Sequence, residues 1–234
     1  MSSSAIILAG GFGTRISKIT KNRIPKSLIV VNNKPFIYWL IMHLKKNRIK
    51  NIIISTGFRG DLIESYVKNL DVSSINISCL REDQPLGTAG ALLNVINTKQ
   101  IVDSGFFVFN GDSLFLNDFN NKKLSNLTIY AFRNFGDSVF GSLKFDSDLK
   151  LNGFYEKEKS DGYVNSGVYY FPSGLFESVT IKPMSLEREF FPELIGKNFK
   201  INVEVSNAPF IDIGTLESYA KATNFIKKYI TFFE

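Results

Sequence analysis

Five apolar residues, Ala5-Ile6-Ile7-Leu8-Ala9, run without a polar break into Gly10-Gly11-Phe12-Gly13-Thr14-Arg15. The run is far short of the roughly 18 apolar residues that a membrane span takes, and too short for a buried helix. Bounded by glycine, it reads as a strand buried on both faces, which demands helices on both sides of its sheet. Further strands are predicted at 51 to 55 (NIIIS), 75 to 80 (INISCL), 106 to 110 (FFVFN) and 127 to 132 (LTIYAF). Between them, Pro35 starts a helix with Ile37, Leu40, Ile41 and Leu44 on one face, and helices fit 60 to 69 and 88 to 97. The first 133 residues are therefore expected to form an α/β layer structure.

After residue 133 the texture turns to strand-like pieces, VFGSLKFD, LNGFYEK and YVNSGVYYF. Ser185 then caps a helix that places Leu186, Phe190, Phe191 and Leu194 inward, and Thr215 caps a last one with Ala222, Ile226, Tyr229 and Ile230 inward. No repeat, low-complexity tract or Pro/Gly/Ser-rich linker divides the chain. The expectation is a single unit, 1–234, with one lobe over 1–133 and another over 134–234.

Cys79 is the single cysteine, which rules out an internal disulfide and a cysteine zinc cluster and sets a reducing, cytoplasmic compartment as the expectation. No basic segment precedes the first apolar run, so neither a leader nor a membrane segment is expected. Eleven Lys or Arg residues precede the first acidic residue, Asp61, while the remainder of the chain carries an acidic excess. Such polarity points the amino-terminal part at a polyanion. Lys45, Lys46, Lys50 and Arg59 read equally well as solvated surface, whereas Arg15 to Lys26 follow the glycine turn directly. The sequence pI of about 9.2 raises nucleic acid as a partner, but no recognition motif accompanies it.

The glycine turn fails two common tests. Gly11-Phe12-Gly13-Thr14-Arg15 is followed by Ile16, not by the third glycine of a dinucleotide fingerprint, and no Walker loop is present. Thr14 to Pro25 lacks amphipathic period and is expected to be an extended loop. Glycines still let backbone N–H groups approach phosphate, and Arg15 and Lys26 add a planar fork and a point charge suited to a triphosphate. Downstream, EDQPLGTAGAL (82 to 92) is a second Gly/Thr loop entering a helix, Asp112 follows a buried strand, and Asp212 precedes the last helix. Two carboxylates at strand ends are a plausible oxygen-ligand pair for Mg²⁺. Asp112 also reads as a turn residue, and Asp212 as a dipole partner of the last helix.

Taken together, Gly10-Gly11-Phe12-Gly13-Thr14-Arg15, Pro25-Lys26-Ser27-Leu28, Pro85-Leu86-Gly87-Thr88-Ala89-Gly90, Asn110-Gly111-Asp112, Glu156-Lys157, Asn165-Ser166-Gly167 and Asp212-Ile213-Gly214-Thr215 resemble the sugar-1-phosphate nucleotidyltransferases, in order and over nearly the whole chain. The resemblance implies a Rossmann-like three-layer α/β/α fold with a mostly parallel mixed sheet and a smaller α+β sugar-binding lobe. It implies that Leu8, Ala9, Gly10, Gly11, Gly13, Thr14 and Arg15 hold the nucleotide, with Lys26, Glu82, Pro85, Gly87 and Thr88. Arg15, Lys26 and Asp112 would be catalytic, and Asp112 and Asp212 would bind Mg²⁺. Gly141, Glu156 and Asn165 would meet sugar hydroxyls and Lys157 the sugar phosphate. The implied reaction is attack by a sugar 1-phosphate on the α-phosphorus, releasing pyrophosphate and needing no side-chain nucleophile; His43, inside a helical segment, reads as structural. Departures from the family's frequent residues at Ile16, Lys18, Ile19, Glu158 and Leu216 remove none of these contacts.

Where relatives that use UTP or dTTP place glutamine, this chain has Glu82. A carboxylate only accepts hydrogen bonds, which suits the adjacent N1–H and N2–H₂ of guanine, so GTP is the expected donor. Glu82 or Asp83 facing water is the alternative. The loop and the end at Glu234, without a hexapeptide-repeat domain, resemble bacterial guanylyltransferases acting on D-glycero-D-manno-heptose 1-phosphate, which serve capsule or surface polysaccharide synthesis. Mannose 1-phosphate is the competing acceptor, with uridylyl, thymidylyl and cytidylyl transfer further alternatives. The partners expected are GTP and a sugar 1-phosphate, with a homodimer as the assembly considered. A glycosyltransferase would show Asp-x-Asp where this chain has Gly111-Asp112-Ser113. A non-catalytic regulatory subunit would lack one of Arg15, Lys26, Asp112 or Asp212, and all four are present.

Overall fold

Alternate residues of the first strand enter different cores. Ala5, Ile7 and Ala9 pack with one apolar cluster and Ile6 with the other. The computed structural model describes residues 4–98, 103–120, 124–134, 141–156, 162–176 and 180–234. In chain order, these residues form β1 (Ser4–Ala9), a one-turn α1 (Ser17–Thr20), a hairpin of β2 (Val30–Val31) and β3 (Lys34–Pro35), and α2 (Phe36–Lys46). Next come β4 (Asn51–Thr56), α3 (Gly60–Lys68), β5 (Asn76–Arg81), α4 (Gly87–Asn97), β6 (Gly105–Asn110), β7 (Ser113–Phe115) and β8 (Thr128–Arg133). The remainder forms β9 (Gly141–Phe145), β10 (Leu151–Glu156), β11 (Tyr163–Pro172), α5 (Phe191–Gly196), β12 (Asn202–Val205), β13 (Phe210–Asp212) and α6 (Leu216–Lys228).

The main sheet runs β10-β9-β11-β6-β1-β4-β5, with β8 on the other side of β11 and β12 beyond β8. β1 lies parallel to β4 and β6, and β4 parallel to β5. From β11 onward the pairing is mostly antiparallel, against β6, β8 and β9. The strand-like second half thus extends the same sheet. Residues of α2, α3 and α6 join the cluster on one face, and those of α4 and α5 the cluster on the other. The fold is a three-layer α/β/α arrangement around a mixed sheet.

Two local readings change. Thr14 to Pro25 is not extended: Gly13, at φ 63°, turns the chain into a 3₁₀ turn over Thr14–Ile16 and then α1. Ile16 and Thr20 are buried, so isolated buried anchors hold a segment without helical period in single turns. The helix after Ser185 opens as a π-helical turn, Leu186–Phe190, before α5. Pro192 has no N–H to return to Arg188, which interrupts the α ladder there. Ser185 and Thr215 do cap as expected, Thr215 through a capping box with Ser218. Tyr229 and Ile230 lie just past α6, half-buried against the same core as Ala222 and Ile226.

His43 is buried on α2, its ring edge-on to Phe119 and Phe233. Burial pulls its pKa down to about 4, against the Phe115 and Phe232 backbone and the Asp118 charge. The unfolded chain therefore binds a proton that the folded chain refuses between pH 6.5 and 4. Stability from this group is full above pH 6.5 and lost as pH falls toward 4, by about 3 kcal/mol in all. Urea midpoints measured from pH 7 to 4 are expected to fall less steeply for His43→Phe than for the native chain. Parallel curves would place the acid sensitivity elsewhere.

Candidate active site

Parallel strands deliver their carboxyl ends to one edge, and the strand order reverses at β1: the chain runs outward from β1 to β4 and β5, then crosses back to β6 on the other side of β1. α2 covers one face on the way to β4, and α4 covers the other on the way to β6. The crevice at such a reversal is where open α/β sheets bind ligands. Here the loop leaving β1 and the loop leaving β6 touch: Gly111 N–H donates to the Leu8 carbonyl at 2.9 Å.

Lys26 opens a 3₁₀ turn after Pro25 and reaches across this crevice to an ion pair with Asp112. Asp112 also accepts from the Ser113 hydroxyl at 3.2 Å. Burial pushes its carboxyl up, but the Lys26 ammonium, the Ser113 hydroxyl and the Arg15 charge outweigh that and hold it below the usual carboxylate range. Asp212 arrives on β13, whose ladder with β7 pairs it with Ser113. The Ile213 N–H donates to the Asp112 carbonyl at 2.9 Å, and Gly214 N–H to Asp212 Oδ1 at 2.7 Å. Burial and the Asp112 charge push the Asp212 carboxyl up to about 6, against Lys26, the Gly214 N–H and Arg15. Lys26 is thus paired with Asp112, while Asp212 feels Lys26 and Arg15 only through their charge.

Two cavities meet at this pair. The smaller, about 380 Å³, is lined by Leu8, Ala9, Gly10, Gly11, Gly13, Lys26, Glu82, Pro85, Gly87 and Thr88. The larger, about 1280 Å³, is lined by Thr14, Arg15, Gly141, Asn165 and Asp212 among others. Gly87, Thr88, Asn110 and Asp112 belong to both. Of the residues singled out from the sequence, Glu156 ends β10 and its side chain lies outside the described residues, as does Lys157. His43 and Cys79 line neither cavity, and burial pushes the Cys79 thiol up to about 11.

Glu82 is half-buried and does not simply face water. Its Oε2 accepts from the Leu86 N–H at 2.9 Å, and its Oε1 fills the space where a side chain on Gly10 would begin. Burial pushes its carboxyl up, against the Leu86 N–H and the Ser55 hydroxyl. The Gly/Thr loop that Glu82 caps is docked on the second half of the chain. Ala89 and Gly90 N–H groups donate to the Met184 carbonyl at 2.9 and 3.2 Å, and Met184 N–H returns to Leu86 at 2.8 Å. A Cβ on Gly87, already at φ 69°, would sit 2.6 Å from the Met184 oxygen.

A family model described as nucleotidyl transferase matches residues 4–229. The chain belongs to this family. The nucleotidyltransferase is 33% identical over 92% of its length to a D-glycero-alpha-D-manno-heptose 1-phosphate guanylyltransferase of Campylobacter jejuni, spanning 96% of that protein. It is 31% identical to the enzyme of that name from Aneurinibacillus thermoaerophilus, over 97% of this chain and 99% of the other. Its fold matches the crystal structure of HddC from Yersinia pseudotuberculosis complexed with GMP-PN. The TM-score is 0.80 at 34% identity, covering 94% of this chain and 98% of that one.

Sequence reasoning missed Tyr169 and Glu187 in the nucleotidyltransferase and gave Asn110, quoted in its motif, no role of its own. Asn110 ends β6 and faces both cavities. Glu187 reads locally as a helix-start acid, and only the fold brings it to Thr88, 99 positions away. Gly87→Ala forces a side chain into a left-handed backbone position, which alone costs about 1–2 kcal/mol. With the Met184 clash added, the variant is expected to melt lower and to lose nucleotide affinity in calorimetry. An unchanged melting temperature would show that the loop docks less tightly than the geometry requires.

Proposed function

We propose that the chain transfers GMP from GTP to D-glycero-α-D-manno-heptose 1-phosphate, giving the GDP-sugar and pyrophosphate. The observation that carries this reading is the pair of cavities joined at Asp112: a narrow one walled by the glycine loop and Glu82, and a wide one beside it. The names carried by the relatives support the same donor and acceptor. In the narrow cavity the backbone of Gly10 to Gly13 faces the triphosphate and the Glu82 carboxylate accepts from guanine N1–H and N2–H₂. In the wide cavity Asn165 and the Gly141 backbone meet sugar hydroxyls.

A phosphate oxygen of the acceptor attacks the α-phosphorus in line; the new O–P bond forms as the bond to the β-phosphate oxygen breaks, and its electrons leave with pyrophosphate. Both reactants are anions, so the chain's contribution is to suppress repulsion and hold the approach line. Lys26 and Arg15 bring positive charge to the meeting point. Asp112 and Asp212 fit a magnesium ion: their donors are hard oxygens, and Asp212, its carboxyl raised by burial and then by the Asp112 charge, would be held ionised by a bound cation. Bound with the triphosphate, that ion would neutralise charge on the phosphate oxygens.

Pyrophosphate release with four nucleoside triphosphates against hexose and heptose 1-phosphates tests the reading. GTP with the heptose 1-phosphate is expected to give the highest kcat/KM; a higher value with mannose 1-phosphate or with UTP would replace the acceptor or the donor. Glu82→Gln keeps an oxygen for Leu86 but turns an amide N–H toward the base, so the GTP-to-UTP ratio of kcat/KM is expected to fall about tenfold. An unmoved ratio would show that the base is read elsewhere. Asp112→Asn is expected to lower kcat at least about 100-fold. Mg²⁺ affinity, followed by calorimetry without nucleotide, is expected to weaken below pH 6 by up to about tenfold per unit as Asp212 takes a proton. Affinity that is flat from pH 7 to 5 would remove Asp212 from the metal site.

A further inference from the structure

Along the wall of the large cavity, from Thr88, which also lines the small one, to Asn165, runs a partly buried chain of hydrogen bonds whose every direction is fixed. Thr88 Oγ1 accepts from the Leu186 N–H at 2.7 Å, so its own proton is free to go to Glu187 Oε2, 2.9 Å away. Ser185 Oγ accepts from the N–H groups of Glu187 and Arg188, both at 3.2 Å, and sends its proton to the same oxygen at 2.9 Å. On the other side Tyr169, fully buried, donates to Glu187 Oε1 at 3.0 Å. Its phenolic oxygen can then only accept, and Asn165 Nδ2 donates to it at 2.7 Å. The Asn165 Oδ1 in turn accepts from Gly167 N–H at 3.1 Å. Three hydroxyl protons converge on Glu187, so both of its oxygens must accept. A carboxylate meets that demand and an amide of the same shape does not. Burial and the Glu187 charge raise the Tyr169 phenol well above its ordinary range, which keeps its proton in place.

The consequence concerns Asn165. An asparagine amide has two orientations of nearly equal shape, and only one of them matches a phenol that accepts and an N–H that donates. We propose that Glu187 and Tyr169 are positioning residues: through Tyr169 the carboxylate fixes which face of the Asn165 amide meets the sugar, and directly it fixes Thr88 in the nucleotide loop. This rests on the reading of Asn165 as a sugar-hydroxyl contact. One carboxylate, itself on the wall of the large cavity, then bears on the geometry of both substrate sites.

The test is steady-state kinetics with each substrate varied in turn, for the native chain, Tyr169→Phe, Asn165→Ala, the double variant and Glu187→Gln, with melting temperatures alongside. Tyr169→Phe keeps the ring against Phe171 and Phe191 and is expected to raise KM for the sugar 1-phosphate about tenfold while leaving KM for GTP within about twofold, the scale of one lost polar contact. Because Tyr169 acts through Asn165, the double variant is expected to be no worse than Asn165→Ala alone. Glu187→Gln is expected to raise both KM values, since it disturbs both ends. Independent, multiplying effects of Tyr169→Phe and Asn165→Ala would overturn the proposal, and so would a lower melting temperature with neither KM moved. If Glu187→Gln does not fold, the Tyr169 and Asn165 cycle still decides. Failure of the functional reading looks different: the native chain itself would be silent on every sugar 1-phosphate.

Discussion

Everything at the active edge depends on β1 having a parallel partner on each side. Parallel pairing sends the exits of β1 and β6 to the same end of the sheet, and the reversal of strand order leaves room between them. Lys26, delivered by the first exit, can then face Asp112, delivered by the second. A partly buried ion pair of this kind adds little net stability, because drawing both charges out of water costs about as much as their attraction returns. Its value lies in where it holds the two groups. The alternation of Ala5, Ile6, Ile7 and Ala9 between two cores secures the arrangement, since a shift by one residue would exchange every side chain between faces.

The second half of the chain completes the site from the outside. On one side β11 pairs with β9 near its start and with β6 further on, and on the other it pairs with β8, with an irregular register between Asn165 and Tyr169. That irregularity is what turns Asn165 toward the large cavity while Tyr169 goes into the core. The β7–β13 ladder does the same for Asp212, setting it next to Asp112 from more than 90 positions further along the chain.

Much of this was legible in the sequence, and the reason is local. Ala5 to Leu8, Asn51 to Ser55 and the phenylalanine-rich run at 106 to 110 each announce a buried strand by composition alone, and Thr215 and Ser185 mark helix starts by the chemistry of their side chains. Gly10 to Arg15, Lys26, Glu82, Asp112 and Asp212 stood out because they lie at the ends of such elements. What stayed hidden was fixed by tertiary contact. Thr14 to Pro25 takes helical turns because Ile16 and Thr20 find burial, which no periodicity signals. Gly87 was expected at the nucleotide and lines the narrow cavity, but that its missing side chain also makes room for the Met184 carbonyl has no local signal. Glu187 and Tyr169 carry no motif, because their partners lie far away in the chain.

The docking of the loop at Leu86 to Gly90 on Lys182 to Leu186 also bears on how the molecule is assembled. Its backbone bonds close a loop of roughly a hundred residues, an entropic cost that grows slowly with length but must be met before the contact returns anything. Contacts of such separation form late and slow the search for the native topology. The strands β1, β4, β5 and β6 are complete as soon as their residues have been made, yet one wall of the narrow cavity takes shape only when the chain has been synthesised past the π-helical turn. A nascent chain halted before that point carries the glycine loop and Lys26 but has nothing for Gly87 and Gly90 to rest against.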